Sequence, residues 1–258
     1  MVVTAFIAEL RRSMIEFKRY PTEFLSQVFL VVLIFYGIFL GGTYITGGEI
    51  MADRLSIVII SYMMWLLVLE AIGSMGYTIS EEAKNGNLEQ IFLSPLGATT
   101  VLFVRNLANL LYNLVFIGVS LFAIIYLTGH RLDLAFINLI PLLMGIGAAM
   151  GLGYFIASMT IIFKRTTQFL SMLQFVLLFI MMTPFALMES GAWVSIFIPL
   201  APMTGLLHEM IVFGKSLSET PTLFLWSCLN LVIWLGAGII VFKVADTTAR
   251  KMGTLGHY

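Results

Sequence analysis

The chain has 258 residues, 60% of them hydrophobic and 11% charged, with a mean hydropathy of +1.00 and a formal net charge of zero. Soluble domains carry about 25% charged residues, so this composition excludes an ordinary soluble fold and marks an integral membrane protein. The neutral balance argues against a nucleic-acid partner, and Cys228, alone, excludes an internal disulfide.

Residues 1–20 carry six charges ahead of any long apolar run, including Glu9 and Glu16, so they do not read as a signal peptide. Phe6, Leu10, Met14 and Phe17 fall on one side of a helix and Glu9, Arg12, Glu16 and Arg19 on the other. Such a helix lies in the membrane interface. Six apolar runs then follow, near 23–42, 56–79, 102–128, 136–161, 167–188 and 222–242, each long enough for the roughly 20 residues a bilayer needs. With an even number of spans both termini share one side. Arg11, Arg12, Lys18, Arg19, Lys84, Arg105, Lys164, Arg165, Lys243, Arg250 and Lys251 fall on that side, against Arg54, Arg131 and Lys215 on the other. This bias places both termini in the cytoplasm.

Between the second and third runs lies a compact polar stretch, EEAKNGNLEQIFLSPLG, residues 81–97. Gly86 suits a left-handed helix end and Asn87 an N-cap. Leu88, Ile91 and Phe92 give a short apolar face, and Pro95 stops the element at Ser94. A helix of about two turns is not stable alone in water. It needs a surface, either lipid headgroups or a groove on another protein. Near the chain's end, residues 189–221 are apolar but interrupted by Pro199 and Pro202, with Thr204 placed to cap a second short helix. Two short helices dipping into the outer leaflet are expected there, with an amphipathic surface loop as the alternative.

Glu70 is the one acid deep in a span, roughly 16 Å from Glu81 at about 1.5 Å per residue. It reads either as a pathway or gate residue or as a structural hydrogen bond to another span, for example to Gln168 or Gln174. Asn106, Asn109 and Asn113 form one polar stripe, of the kind that holds helices together. Gly147 and Gly151 make a small-residue face suited to close packing within the subunit. Pro184 is positioned to kink the fifth span. His130, His208 and His257 have no metal-ligand spacing, so no metal site is assigned.

The loop resembles that of type-2 ATP-binding-cassette (ABC) transporter permeases: Glu82, Gly86, Leu88, Glu89, Ile91, Phe92, Ser94 and Pro95 stand at that family's motif positions. A second stretch, Ala201-Pro202-Met203-Thr204-Gly205, is similar to the family's turn before the last span but lacks its Asn and its aromatic residue. The resemblance implies an all-α, six-span, single-domain permease with an N-terminal interfacial helix (1–20), a cytoplasmic coupling helix (within 81–97) and an outer re-entrant pair (189–215). It further implies a bacterial inner-membrane exporter of a lipophilic or amphipathic substrate, working as a dimer of permeases with two copies of an ATPase subunit. That subunit, rather than this chain, binds ATP and Mg and hydrolyses the nucleotide. Gly214-Lys215-Ser216 is not a P-loop, because Glu209 occupies its first glycine position. The alternatives are a lipid-linked polysaccharide exporter, a motor-independent channel or secondary transporter, and a membrane anchor for a cytosolic enzyme.

Overall fold

The structure, a computed structural model, describes residues 2–45, 52–84, 93–94, 96–130, 132, 135–163, 166–183 and 192–252. All regular elements among them are helical: α1 (Val2–Arg19), α2 (Pro21–Ile45), α3 (Ala52–Ala71), a π-helical turn (Ile72–Tyr77), α4 (Thr78–Lys84), α5 (Ala98–Thr128), α6 (Leu139–Phe163), α7 (Thr167–Met182), α8 (Ala201–Ile211) and α9 (Pro221–Met252). Short 3-10 turns precede α6, α8 and α9. Stretches Pro21–Tyr44, Arg54–Glu82, Ala98–Thr128, Phe136–Phe163 and Pro221–Ala249 are long and apolar enough to cross a bilayer. This makes the chain a multi-pass membrane protein. The fifth expected run is shorter than its sequence promised: α7 has 16 residues, and residues 184–191, with Pro184, lie outside the described residues.

The centre of the bundle is α3. Ile59, Tyr62, Trp65 and Val68 are buried there, and Ile72 at the start of the π-helical turn, so its apolar character faces protein as well as lipid. Its two polar-tipped aromatics are satisfied by neighbouring backbone, as buried Tyr and Trp must be. The Tyr62 hydroxyl donates to the Val31 carbonyl of α2 at 2.7 Å, and the Trp65 indole to the Gln174 carbonyl of α7 at 2.9 Å. Apolar burial gains little between helices already in hydrocarbon, so close packing and hydrogen bonds must hold them together.

The α6–α9 contact meets that demand with small residues. A Cβ on Gly151 would run into the Trp234 and Leu235 backbone, and one on Gly238 into the backbone of Gly151. The small-residue face expected on the fourth span is therefore used inside the subunit.

The segment before the last span does form two short elements, a 3-10 turn (Ala192–Phe197) and α8. Met203, Leu206, Thr204 and His208 of α8 are all buried, so protein covers this helix, whereas Trp193 and Phe197 of the 3-10 turn are exposed. One detail differs from expectation. Thr204 does not cap α8; it sits inside the first turn and donates back to the Leu200 carbonyl at 3.0 Å. The cap position belongs to Leu200, whose φ of 65° is unusual for a residue with a side chain. Pro202 is in the first turn, where no N–H is needed. Pro199 lies in the tight turn just ahead.

That turn is held by one side chain from α9. Asn230, fully buried, donates to the Ile196 and Ile198 carbonyls at 2.7 and 2.8 Å and accepts from the Leu200 N–H at 3.3 Å. A buried irregular backbone needs such partners, because no water is present to supply them.

Candidate functional site

Two polar clusters stand out in this apolar fold, and both are built on the helix that runs from α3 through the π-helical turn into α4.

The first surrounds Glu70. The Asn113 side chain of α5 is hydrogen-bonded to Glu70, and Ser74 donates to Asn106 Oδ1 at 3.0 Å. These four residues, with Leu67, Ala149 and Met150 among the apolar neighbours, line a cavity of about 20 Å³. A volume of that size admits one water-sized molecule. The buried Asn106 Nδ2 has no partner among the described residues, so the cavity carries a hydrogen-bond donor as well as a carboxyl group.

The π-helical turn explains the layout. An i→i+5 turn fits an extra residue into the helix. Glu70 and Ser74 line the cavity against α5, whereas Tyr77 is directed to α7, where its hydroxyl meets Ser171 Oγ at 3.2 Å and Gln174 Nε2 at 3.1 Å. At Gly76 a Cβ would sit 2.8 Å from Ile156 and 2.9 Å from Leu170, so the turn is pressed against α6 and α7.

The expected partners of Glu70 are thus corrected. Gln174 bonds Tyr77 through its amide, Gln168 is exposed on α7, and the residue that reaches Glu70 is Asn113. The asparagine stripe on α5 is split between two duties: Asn106 and Asn113 face the cavity, while Asn109 accepts from Ser13 of α1 at 3.4 Å.

The second cluster lies at the root of the 81–97 loop. Arg105 of α5 donates to Glu82 of α4 at 3.0 Å and to Glu9 of α1 at 3.3 Å. Its side chain is 14% exposed, and those of Glu82 and Glu9 are 20% and 21% exposed. One guanidinium therefore ties three elements together with charge-assisted bonds. The fork geometry of arginine suits this bridging, and a lysine could not reproduce it. Glu9, on the polar side of α1 by helical periodicity, meets α5 there.

No family model, curated protein or solved structure matches this chain.

Of the loop residues, Glu82 is in α4 and Ser94 is half-buried in a turn, its Oγ accepting from the Leu96 N–H at 3.4 Å and its carbonyl from the Gly97 N–H at 2.9 Å. Gly86, Leu88, Glu89, Ile91, Phe92 and Pro95 lie outside the described residues. Residues that sequence reasoning passed over are Arg105, Asn230 and Tyr77. Arg105 entered the sequence reading only as a cytoplasmic charge. Its place one turn before Asn109 on a polar stripe was the available signal that it turns inward.

A third feature pins the far end of α3. His208 Nε2 meets the Ile57 carbonyl and Ser61 Oγ, both at 3.2 Å, while Ser56 Oγ meets His130 Nε2 at 2.7 Å. With Nε2–H donating to the carbonyl, the buried Nδ1 of His208 has no partner among the described residues. Burial holds this imidazole down to about 4, with the Ile57 carbonyl pulling the other way. No group of three or more acid, His or Cys side chains with metal-holding geometry occurs among the described residues.

Proposed function

We propose that this chain is the membrane-spanning subunit of an ATP-driven exporter, and that the segment after its second span docks a separate nucleotide-binding subunit. What supports this most is the Glu82–Arg105–Glu9 cluster, which lies at the root of the loop that resembles a coupling helix. A loop that only lay on headgroups would not need its base braced to α1 and α5. A loop that receives force from a soluble partner does, because an unbraced base would bend rather than transmit.

The mechanism follows from the connectivity. ATP and Mg bind to the partner subunit, whose closure moves residues 85–95. Glu82 carries that displacement to Arg105, and so to α5 and α1. The continuous helix from Lys84 back to Ala52 carries it to the π-helical turn and the Glu70 cavity. π-Helical turns inside α-helices recur at functional sites. In a dimer of permeases with two motor subunits, this would open an outward path for a lipophilic or amphipathic substrate. The chain catalyses no bond-making step itself. Glu70 is assigned to the moving element and Gln168 and Gln174 to its neighbour α7.

Co-purification tests the reading. The wild-type chain should capture an ATPase subunit, and Leu88→Asp and Phe92→Asp should lose it while remaining folded. Unchanged capture and unchanged ATPase stimulation in both variants would end the docking account.

A further inference from the structure

On the far side of Leu67, Leu114 and Ile117 from the polar cavity lies a much larger one, of about 510 Å³. Its walls come from α3 (Met63, Met64), α5 (Gly118, Leu121) and α8 (Leu207, Ile211). Phe136 and Leu139, at the start of α6, line it and are 88% and 40% exposed, so it opens there. Leu67, Leu114 and Ile117 line both spaces and form a floor one residue thick.

We propose that this cavity holds one acyl chain of a membrane phospholipid. Three observations select that occupant. Among the described residues the lining is apolar apart from Asn138, and an apolar cavity does not retain water. It is enclosed partly by three helices long and apolar enough to span a bilayer, and its opening lies at the first residues of one of them, within reach of the chains of the adjoining leaflet. At about 510 Å³, on the same scale as the 20 Å³ polar cavity that admits one water, the space takes a guest of many heavy atoms, such as a lipid chain, and not a single small molecule. The two methionines suit such a guest, since their flexible thioethers adapt to a mobile chain. The driving force is not water exclusion, because bulk lipid is equally apolar. It is the dispersion contact that a filled space gains over a void.

Gly118 supplies the means of testing this. A Cβ there meets nothing within 4 Å, so a large side chain has room to enter the cavity without displacing the backbone. The inference requires only that the chain sits in a bilayer, and it stands or falls independently of any ATPase partner.

The experiment uses the full chain in phosphatidylcholine nanodiscs doped with phosphatidylcholine that carries a photoreactive diazirine midway along one 16-carbon chain. Cross-linked peptides are mapped by mass spectrometry. Adducts on Met63, Met64 and Leu121 are expected in wild type. In Gly118→Phe these should fall about fivefold or more, because a close-packed cavity has no room for the chain. Adducts on the outward-facing Phe122 and Tyr126 should persist in both proteins. Adducts confined to outward-facing residues in wild type would overturn the proposal, as would equal interior labelling in wild type and a folded Gly118→Phe. Should Gly118→Phe fail to fold, Leu121→Trp replaces it with the same two outcomes. A parallel arm with diazirine-palmitate identifies the source. Interior labelling by the free acid alone would overturn a phospholipid occupant.

Discussion

Replacing Arg105 with alanine removes the donor shared by Glu82 and Glu9. A hydrogen bond to a charged group contributes about 1.5–3 kcal/mol when sheltered from water. Fully exposed ion pairs contribute about 0–1 kcal/mol. With side chains 14–21% exposed, each bond falls between these ranges, near 1–2 kcal/mol. Losing both costs about 2–4 kcal/mol, and Glu9 then keeps only the more exposed Arg12 at 3.9 Å. In a chain of this size that corresponds to about 4–16 °C of melting temperature. The assay is a double-mutant cycle of Arg105→Ala, Glu82→Gln and the double variant, read by thermal unfolding in detergent. A coupling of about 1–2 kcal/mol is expected, and Arg105→Lys should recover only part of it. If the two single effects add to within about 0.3 kcal/mol, the side chains do not act on each other and the brace is refuted.

Other outcomes follow from the same geometry. Asn230→Leu strands the Ile196 and Ile198 carbonyls and the Leu200 N–H, and should cost about 2–4 kcal/mol by thermal unfolding; a loss below about 1 kcal/mol would show that the turn holds itself. Gly151→Leu should lower the melting temperature sharply through its clash with the Trp234 backbone, whereas Gly236→Ala, where a Cβ meets nothing within 4 Å, should be near neutral. His208 ordinarily titrates near 6.5 and is held down to about 4 in the fold, so the unfolded chain binds the extra proton between these values. Stability should be constant above about pH 6.5 and fall by up to about 3 kcal/mol as pH drops to 4; a His208→Gln protein with the same pH profile as wild type would contradict this. For Glu70, a glutamine can still pair with Asn113 and a leucine cannot, so Glu70→Leu should reduce both stability and transport well below Glu70→Gln; equal transport in the two would remove Glu70 from the moving element.

The apolar runs were legible because a span of hydrocarbon thickness leaves a plain mark in sequence. The run containing α7 was the exception: the helix stops at Met182, with Thr183, the residue before Pro184, in an extended conformation that hydropathy alone does not foretell. The break at Pro199 and Pro202 was legible from proline chemistry, but the agent that holds the turn was not. Asn230 is thirty residues from Leu200, and nothing local marks an asparagine in a span as a cap for another segment. Periodicity put Glu9 on the polar side of α1 correctly, but did not say that this side meets Arg105. The π-helical turn was likewise invisible: Gly73 and Gly76 permit it, but the crowding of Gly76 by Ile156 and Leu170 is a tertiary fact. Glu70 was identified from its depth, and its partner was misassigned because two glutamines on another helix are as plausible by composition as an asparagine on α5.

The most direct measurement is photo-cross-linking from the loop itself. A photoreactive amino acid is placed at Leu88, the membranes are irradiated, and the adducts are identified by mass spectrometry. The account predicts a covalent adduct with a soluble protein that carries an ATP-binding P-loop, lost when Phe92 is changed to Asp. Adducts with lipid alone, in membranes where an ATPase is present, would contradict it.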